Sequence, residues 1–281
     1  MDNLQNYINK GYNKIMFTKR IPNEIQNYKK MENILYKEFG FIIEETSDKT
    51  HFKITIFGPE NSPYENGIFE AEISIPKLYP FEPLSLEFLT KIFHQNISIK
   101  NGYAYLQINS CWKPSYGLIY IAIRTYLLLL RDQFYYFGVL NENAFIMTRE
   151  KENYGDFLLK VKEYIFKYAK MNKEENEKYK LFIENIKKER EKAKEISKNN
   201  NNNYISINYY NLSIIMNPMT IDVSVNMRIM DILEQIMGSE NKNFYFVIFL
   251  GEVIDSRKTV KEAYFYNNCH IFIIDEMIGI Y

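Results

Sequence analysis

At Gly40 the spacing of apolar residues changes. Before it, Ile21, Ile25, Tyr28, Met31 and Leu35 recur at every third or fourth residue, the pattern of a helix with one apolar face, and Pro22 suits its first turn. After it, FGFIIEET, HFKITIFG and GIFEAEISIP alternate apolar with polar residues and are divided by TSDK and PENSPYENG, stretches of turn-forming residues. A chain patterned in this way is predicted to lead with a helix and then fold back on itself as an antiparallel meander, with LSLEFLT as a fourth strand.

The longest apolar run, GLIYIAIRTYLLLL from Gly117, is too short to span a bilayer and carries Arg124, so a buried helix is predicted over Leu118 to Leu130. Further on, Tyr154, Phe157, Leu158, Val161, Ile165 and Tyr168 form one stripe, the packing face of another helix. Helix, strands, irregular stretch, helix, helix is an α+β order. Residues 171–198 are dense in both charge signs, with Glu174 to Lys178 and Glu184 to Lys188 at favourable helical spacing. This reads as a solvated, partly packed helical linker with a narrow apolar face of Tyr179, Phe182, Ile183 and Ile186. Five asparagines, 199–203, follow as a low-complexity join, and the domain boundary is expected there. Residues 204–281 alternate in YISINYYNLSIIM and TIDVSVN, carry a short helix at RIMDILEQIMG, and return to strands in NFYFVIFLG and CHIFIIDE. Two strands, a helix and two or more strands fit a small grasp-like sheet wrapped on one helix.

Lys and Arg number 35 and so do Asp and Glu, which leaves no global field to draw the chain onto nucleic acid or an anionic membrane. The two cysteines, Cys111 and Cys269, are far apart in sequence. That argues against a disulfide framework and for a reducing compartment, cytoplasmic or nuclear. The amino-terminal stretch lacks the layout of a secretory signal. The three histidines, His51, His94 and His270, and the distant cysteines do not have the spacing of a metal site, and no cofactor is expected.

Residues 1–170 resemble the ubiquitin-conjugating-enzyme domain. The likeness runs through FGPENSPYENGIFEAEISIPKLYPFEP, FLTKIFHQN, the spaced tryptophan and proline of Trp112 and Pro114, and LNENA. The last segment, 204–281, resembles ubiquitin in its order of strand, helix, strand, turn and final strand, with Gly251 in the expected turn and Thr259 before the last strand. The resemblance implies a UBC-like domain (amino-terminal helix, four-stranded antiparallel meander, carboxy-terminal helices), a charged linker over 171–203, and a ubiquitin-like β-grasp domain over 204–281.

In that family a cysteine thiolate carries ubiquitin as a thioester, being both a strong nucleophile and a good leaving group. It stands three residues after a glycine and is followed by leucine. Here Gly102 and Leu106 bracket the place, and Tyr105 stands in it; alignment back from Trp112 puts Ala104 there instead. A phenol is a poor nucleophile at neutral pH and alanine has none. Cys111, six residues beyond Tyr105, is the fallback nucleophile, read as an ordinary small residue. His94 and Asn96 match the family's signature around the reactive loop, with Gln95 in place of its proline. They are read as loop-bracing hydrogen-bonders, not as an oxyanion device.

The resemblance therefore implies a non-catalytic variant that works through surfaces. Phe81, Pro114 and Ser115 match the two loops that meet ligase domains, joined by Lys19 and Arg20 at the start of the first helix. Ile248, Leu250 and Phe272 match ubiquitin's apolar patch, either exposed as a binding site or packed away. The partners implied are ubiquitin, an active conjugating enzyme, a ligase or the subunits of a large assembly. Two alternatives stay open: an active transferase using Cys111, and a constitutive structural subunit with no ubiquitin role.

Overall fold

The computed structural model describes residues 19–48, 50–108, 112–130, 138–150, 152–212, 218–238 and 245–275. The chain divides into two compact units, Met1–Lys180 and Leu181–Tyr281.

In the first unit, helix α1 (Ile21–Phe39) begins with Pro22 in its first turn and ends at Gly40, whose N–H donates to the Tyr36 carbonyl at 2.9 Å. It buries Ile21, Tyr28, Met31 and Leu35 of the predicted face, and Phe39 beyond it; Glu24 and Glu38 are buried too, and Ile25 is only half-buried. Four strands follow, β1 (Phe41–Glu45), β2 (His51–Phe57), β3 (Ile68–Ser74) and β4 (Ser85–Phe88), joined antiparallel in sequence order. Successive side chains of a strand point to opposite faces. Phe52, Ile54 and Ile56 of β2 and Phe69, Ala71 and Ile73 of β3 are accordingly buried, while Lys53 and Glu70 meet on the outer face at 2.5 Å.

Helix α2 (Leu118–Leu130) is buried at every residue from Leu118 to Leu129, Arg124 included. A helix apolar all round is a core helix, as its sequence predicted. Helix α3 (Glu142–Arg149) is capped by Asn141, whose Oδ1 accepts the Ala144 N–H at 3.2 Å. Helix α4 (Tyr154–Tyr168) buries Phe157 and Val161; Tyr154, Leu158 and Ile165, expected on the same packing face, are half-buried and Tyr168 is exposed.

Helix α5 (Lys173–Asn199) is one continuous element, and the division between the units falls within it, ahead of the asparagine run. Its Tyr179 belongs to the first unit, edge-on to Phe57 at 5.5 Å with its hydroxyl accepting the Asn66 N–H. Arg190, Ala193 and Ser197 belong to the second. There Ala193 lies in the core, the Ser197 hydroxyl donates to the Lys261 carbonyl, and the Arg190 guanidinium donates twice to the Leu250 carbonyl, at 3.1 and 2.8 Å.

The second unit is a mixed five-stranded sheet, β5 (Tyr204–Asn211), β6 (Met219–Ser224), β7 (Tyr245–Phe249), β8 (Glu252–Ile254) and β9 (Cys269–Asp275), in the order β6-β5-β9-β7-β8. The central β5 and β9 pair parallel and the other neighbours antiparallel. Helix α6 (Ile229–Met237) presents Ile229, Ile232 and Leu233 to a core completed by Ile207, Val223, Val247 and Ile271.

Replacing Arg190 with alanine strands the Leu250 carbonyl at the head of the β7–β8 turn. The expected cost is about 1–3 kcal/mol, to be read as faster amide hydrogen exchange across β7 and β8 with the first unit's exchange unchanged.

Candidate functional site

Two clusters of the first unit gather the residues singled out by sequence. The first is built around Glu24. Its carboxylate sits on the buried face of α1, where it receives the Tyr79 hydroxyl and the Leu118 N–H (2.9 Å) and pairs with Arg20 at 2.5 Å. Arg20 also donates to the carbonyls of Pro114 and Tyr116, at 3.0 and 3.1 Å. The Trp112 indole N–H donates to the Pro80 carbonyl at 2.6 Å, and its ring meets Tyr116 edge-on. Gly117 admits the carboxylate: a Cβ there would stand 2.6 Å from the Glu24 oxygen. Burial pushes the Glu24 carboxyl up, opposed by the Arg20 charge and the Tyr79 and Leu118 hydrogen bonds. Burial and the Glu24 charge push the Tyr79 phenol up as well.

These bonds hold the start of α1, the corner at Tyr79 and Pro80 and the loop before α2 together. Lys19, Pro114 and Ser115 are exposed, and Phe81, one residue past Pro80, is 65% exposed. Arg20 differs from expectation: it is half-buried and engaged in holding the loop, so its guanidinium faces its own chain. Sequence reasoning missed Glu24, Tyr79 and Tyr116. The available signal was a carboxylate three residues from Ile21 on the apolar stripe, with an arginine one turn before it.

The second cluster is the segment from His94 to Leu106. His94, Gln95 and Asn96 are all buried. The His94 Nδ1 accepts the Asn96 N–H at 3.0 Å, and the Gln95 carbonyl accepts the N–H groups of Leu140 and Asn141. The Asn96 side-chain amide donates to the Gly138 carbonyl at 3.3 Å, and the Asn96 carbonyl accepts the Tyr105 N–H at 2.9 Å. Ala104 is buried and bridges Ile97, while the half-buried Tyr105 lays its ring against Gly138, where a Cβ would come within 2.0 Å of the ring. These bonds brace the loop, while the buried His94 Nε2 and Asn96 Oδ1 make no hydrogen bond among the described residues. Burial, partly offset by the Leu128 carbonyl, brings the His94 pKa down to about 3, so the ring is neutral at ordinary pH.

Cys111 lies outside the described residues, and Cys269 is buried in the second unit. Ile248, Leu250 and Phe272 are 0%, 9% and 0% exposed, so they do not present an open apolar patch. Leu250 belongs to the second unit's core and Phe272 stacks on Tyr210. Among the described residues no His, Cys, Asp and Glu group has the makings of a metal site, and no helix is long and apolar enough to cross a membrane.

The family model described as ubiquitin-conjugating enzyme matches residues 20–164. The chain is 39% identical over 123 residues to the ubiquitin-conjugating enzyme E2-24 kDa of Saccharomyces cerevisiae, covering 43% of this chain and 55% of that protein. It is 37% identical over 95 residues to the ubiquitin-conjugating enzyme E2 pex4 of Dictyostelium discoideum, covering 34% and 64%. The match therefore spans 55% and 64% of these two curated relatives, less than two thirds of either. Among solved structures it is similar to a putative ubiquitin conjugating enzyme from Plasmodium yoelii, with a TM-score of 0.48 and 26% identity over 55% of this chain and 98% of that one.

Two outcomes are expected here. Glu24→Ala removes the acceptor and leaves Arg20, Tyr79 and the Leu118 N–H without it, at a cost of about 3–5 kcal/mol. The loss is measurable as an earlier urea midpoint in the emission of Trp112, the chain's one tryptophan. His94 gives a pH dependence. Between its folded pKa of about 3 and the ordinary 6.5 the unfolded chain binds a proton that the folded chain refuses. Its contribution is therefore fully present above pH 6.5 and falls by up to about 1.4 kcal/mol for each unit below. His94→Gln is expected to lessen the drop in urea midpoint between neutral and mildly acid pH.

Proposed function

The chain belongs to the ubiquitin-conjugating-enzyme family, matched over residues 20–164, and on that premise we propose that it is a non-catalytic member, a binding or scaffold module of the ubiquitin system or of a larger assembly. The observation that carries this reading is Tyr105. It stands three residues after Gly102, where the family's thiolate belongs, and its ring lies on Gly138. Thioester formation needs a sulfur with room to react; a phenol against a backbone supplies neither. Ala104, the other residue that alignment brings to the position, is buried and has no nucleophile.

Asn96 supports the same reading. An oxyanion is stabilised by a donor aimed at where charge develops, and here the side-chain amide donates to the Gly138 carbonyl. His94 and Asn96 are then braces that this loop needs with or without chemistry.

The second unit is the proposed ubiquitin-like domain, which in the sequence reading runs over 204–281 after a linker of 171–203. Its strand order, with parallel central strands and one helix packed on the sheet, supports a β-grasp arrangement. Because Ile248, Leu250 and Phe272 are buried, partner binding is assigned to the first unit, at Lys19, Phe81, Pro114 and Ser115. The partner on this reading is ubiquitin, an active conjugating enzyme, a ligase or a subunit of a large assembly.

The test is a charging reaction with activating enzyme, ATP and labelled ubiquitin, read on a non-reducing gel beside a known active conjugating enzyme. No reducible adduct is expected from this protein. An adduct that disappears in Cys111→Ser would make Cys111 a displaced nucleophile and the protein a transferase. For the binding surface, Phe81→Ala is expected to weaken capture of the partner by about 1–3 kcal/mol while leaving the urea midpoint unchanged, since the ring is largely exposed.

A further inference from the structure

Helix α4 carries more apolar surface than its neighbours cover. Phe157 and Val161 are buried, but Leu158 and Ile165 are half-buried and Phe166 is 75% exposed, the largest exposure of any large apolar side chain among the described residues. Opposite them runs the turn that precedes β3, and between the two lies an open groove of about 720 Å³ whose far wall includes Asn61 and Asn66. That volume is of the order that accepts several ligand side chains.

The charged side chains lining the groove are two lysines and one glutamate, a net positive balance. Lys162 and Lys170 line it, and neither forms an ion pair among the described residues; the Lys170 ammonium lies 5.3 Å from the Phe166 ring centre. The one carboxylate in the lining, Glu65, accepts the Asn61 N–H at 3.0 Å. On the α4 side, away from Glu65, two cations beside an uncovered apolar floor call for a ligand that is apolar in the middle and anionic where it meets that side.

We propose that this groove binds an acidic protein segment carrying bulky apolar anchors. The anchors pack on Leu158, Ile165 and Phe166, carboxylates meet Lys162 and Lys170, and the side-chain amides of Asn61 and Asn66 serve the backbone of the bound segment. None of these residues belongs to the Glu24 cluster or to the His94–Leu106 segment. The inference therefore goes beyond the proposed function and stands or falls separately from the charging result.

The probe is a fluorescein-labelled peptide of about a dozen residues, rich in Glu and Asp, with a Phe and a Leu one helical turn apart. It is titrated with the whole protein by fluorescence anisotropy, beside a control with the same apolar residues and lysine in place of every acid. Saturable binding of the acidic peptide alone is expected, weakened by added salt. Lys162→Glu combined with Lys170→Glu is expected to weaken it at least about tenfold, and Phe166→Ala by about fivefold or more. These side chains are exposed, so circular dichroism of the variants should be unchanged. No binding of the acidic peptide, equal binding of both peptides, or indifference to the charge reversal in folded variants would overturn the proposal.

Discussion

A carboxylate removed from water is costly unless donors replace its hydration. Glu24 has Arg20, the Tyr79 hydroxyl and the Leu118 N–H, and each comes from a different part of the first unit. The price of burying the charge is met only if the start of α1, the Tyr79 corner and the start of α2 are all in place. Arg20 extends the requirement to the loop before α2 through the Pro114 and Tyr116 carbonyls, and Gly117 has no side chain because the carboxylate occupies that space. The exposed residues of this corner, Phe81, Pro114 and Ser115, are thus displayed on loops whose backbone is held from inside.

The same logic separates fold from chemistry in the His94–Leu106 segment. Among the described residues, most of its buried polar groups bond one another or adjoining backbone: His94 to Asn96, Asn96 to Gly138 and Tyr105, Gln95 to Leu140 and Asn141, with His94 Nε2 and Asn96 Oδ1 the exceptions. Buried polar groups need such partners whatever the segment does. These bonds do not depend on the Tyr105 side chain, so they hold the segment's shape without deciding its chemistry.

Much of the fold was legible in the residues. The change of period at Gly40, the turn residues between strands and the apolar run from Leu118 each act through local geometry, and α1, the meander and α2 follow them. The sites were legible in part. The meeting of Lys19, Arg20 and Pro114 near one corner came from the resemblance; the inward turn of Arg20 did not, because it depends on carbonyls nearly a hundred positions along the chain. The role of Glu24 was not legible, since nothing local announces Tyr79 or Leu118. The charged composition of α5 likewise hid Ala193, whose small side chain enters the second unit's core.

By itself the sequence determined most of the helices and strands, and that charge is balanced overall. These are properties of residue type and short-range spacing, which hold wherever the segment ends up. Only the tertiary structure decided which of those residues face water. It buried Ile248 and Phe272, turned Arg20 inward, and left Phe166 uncovered beside Lys162 and Lys170. Exposure is set by what long-range packing brings against a side chain, and two residues with the same local pattern part company when only one of them meets a neighbour.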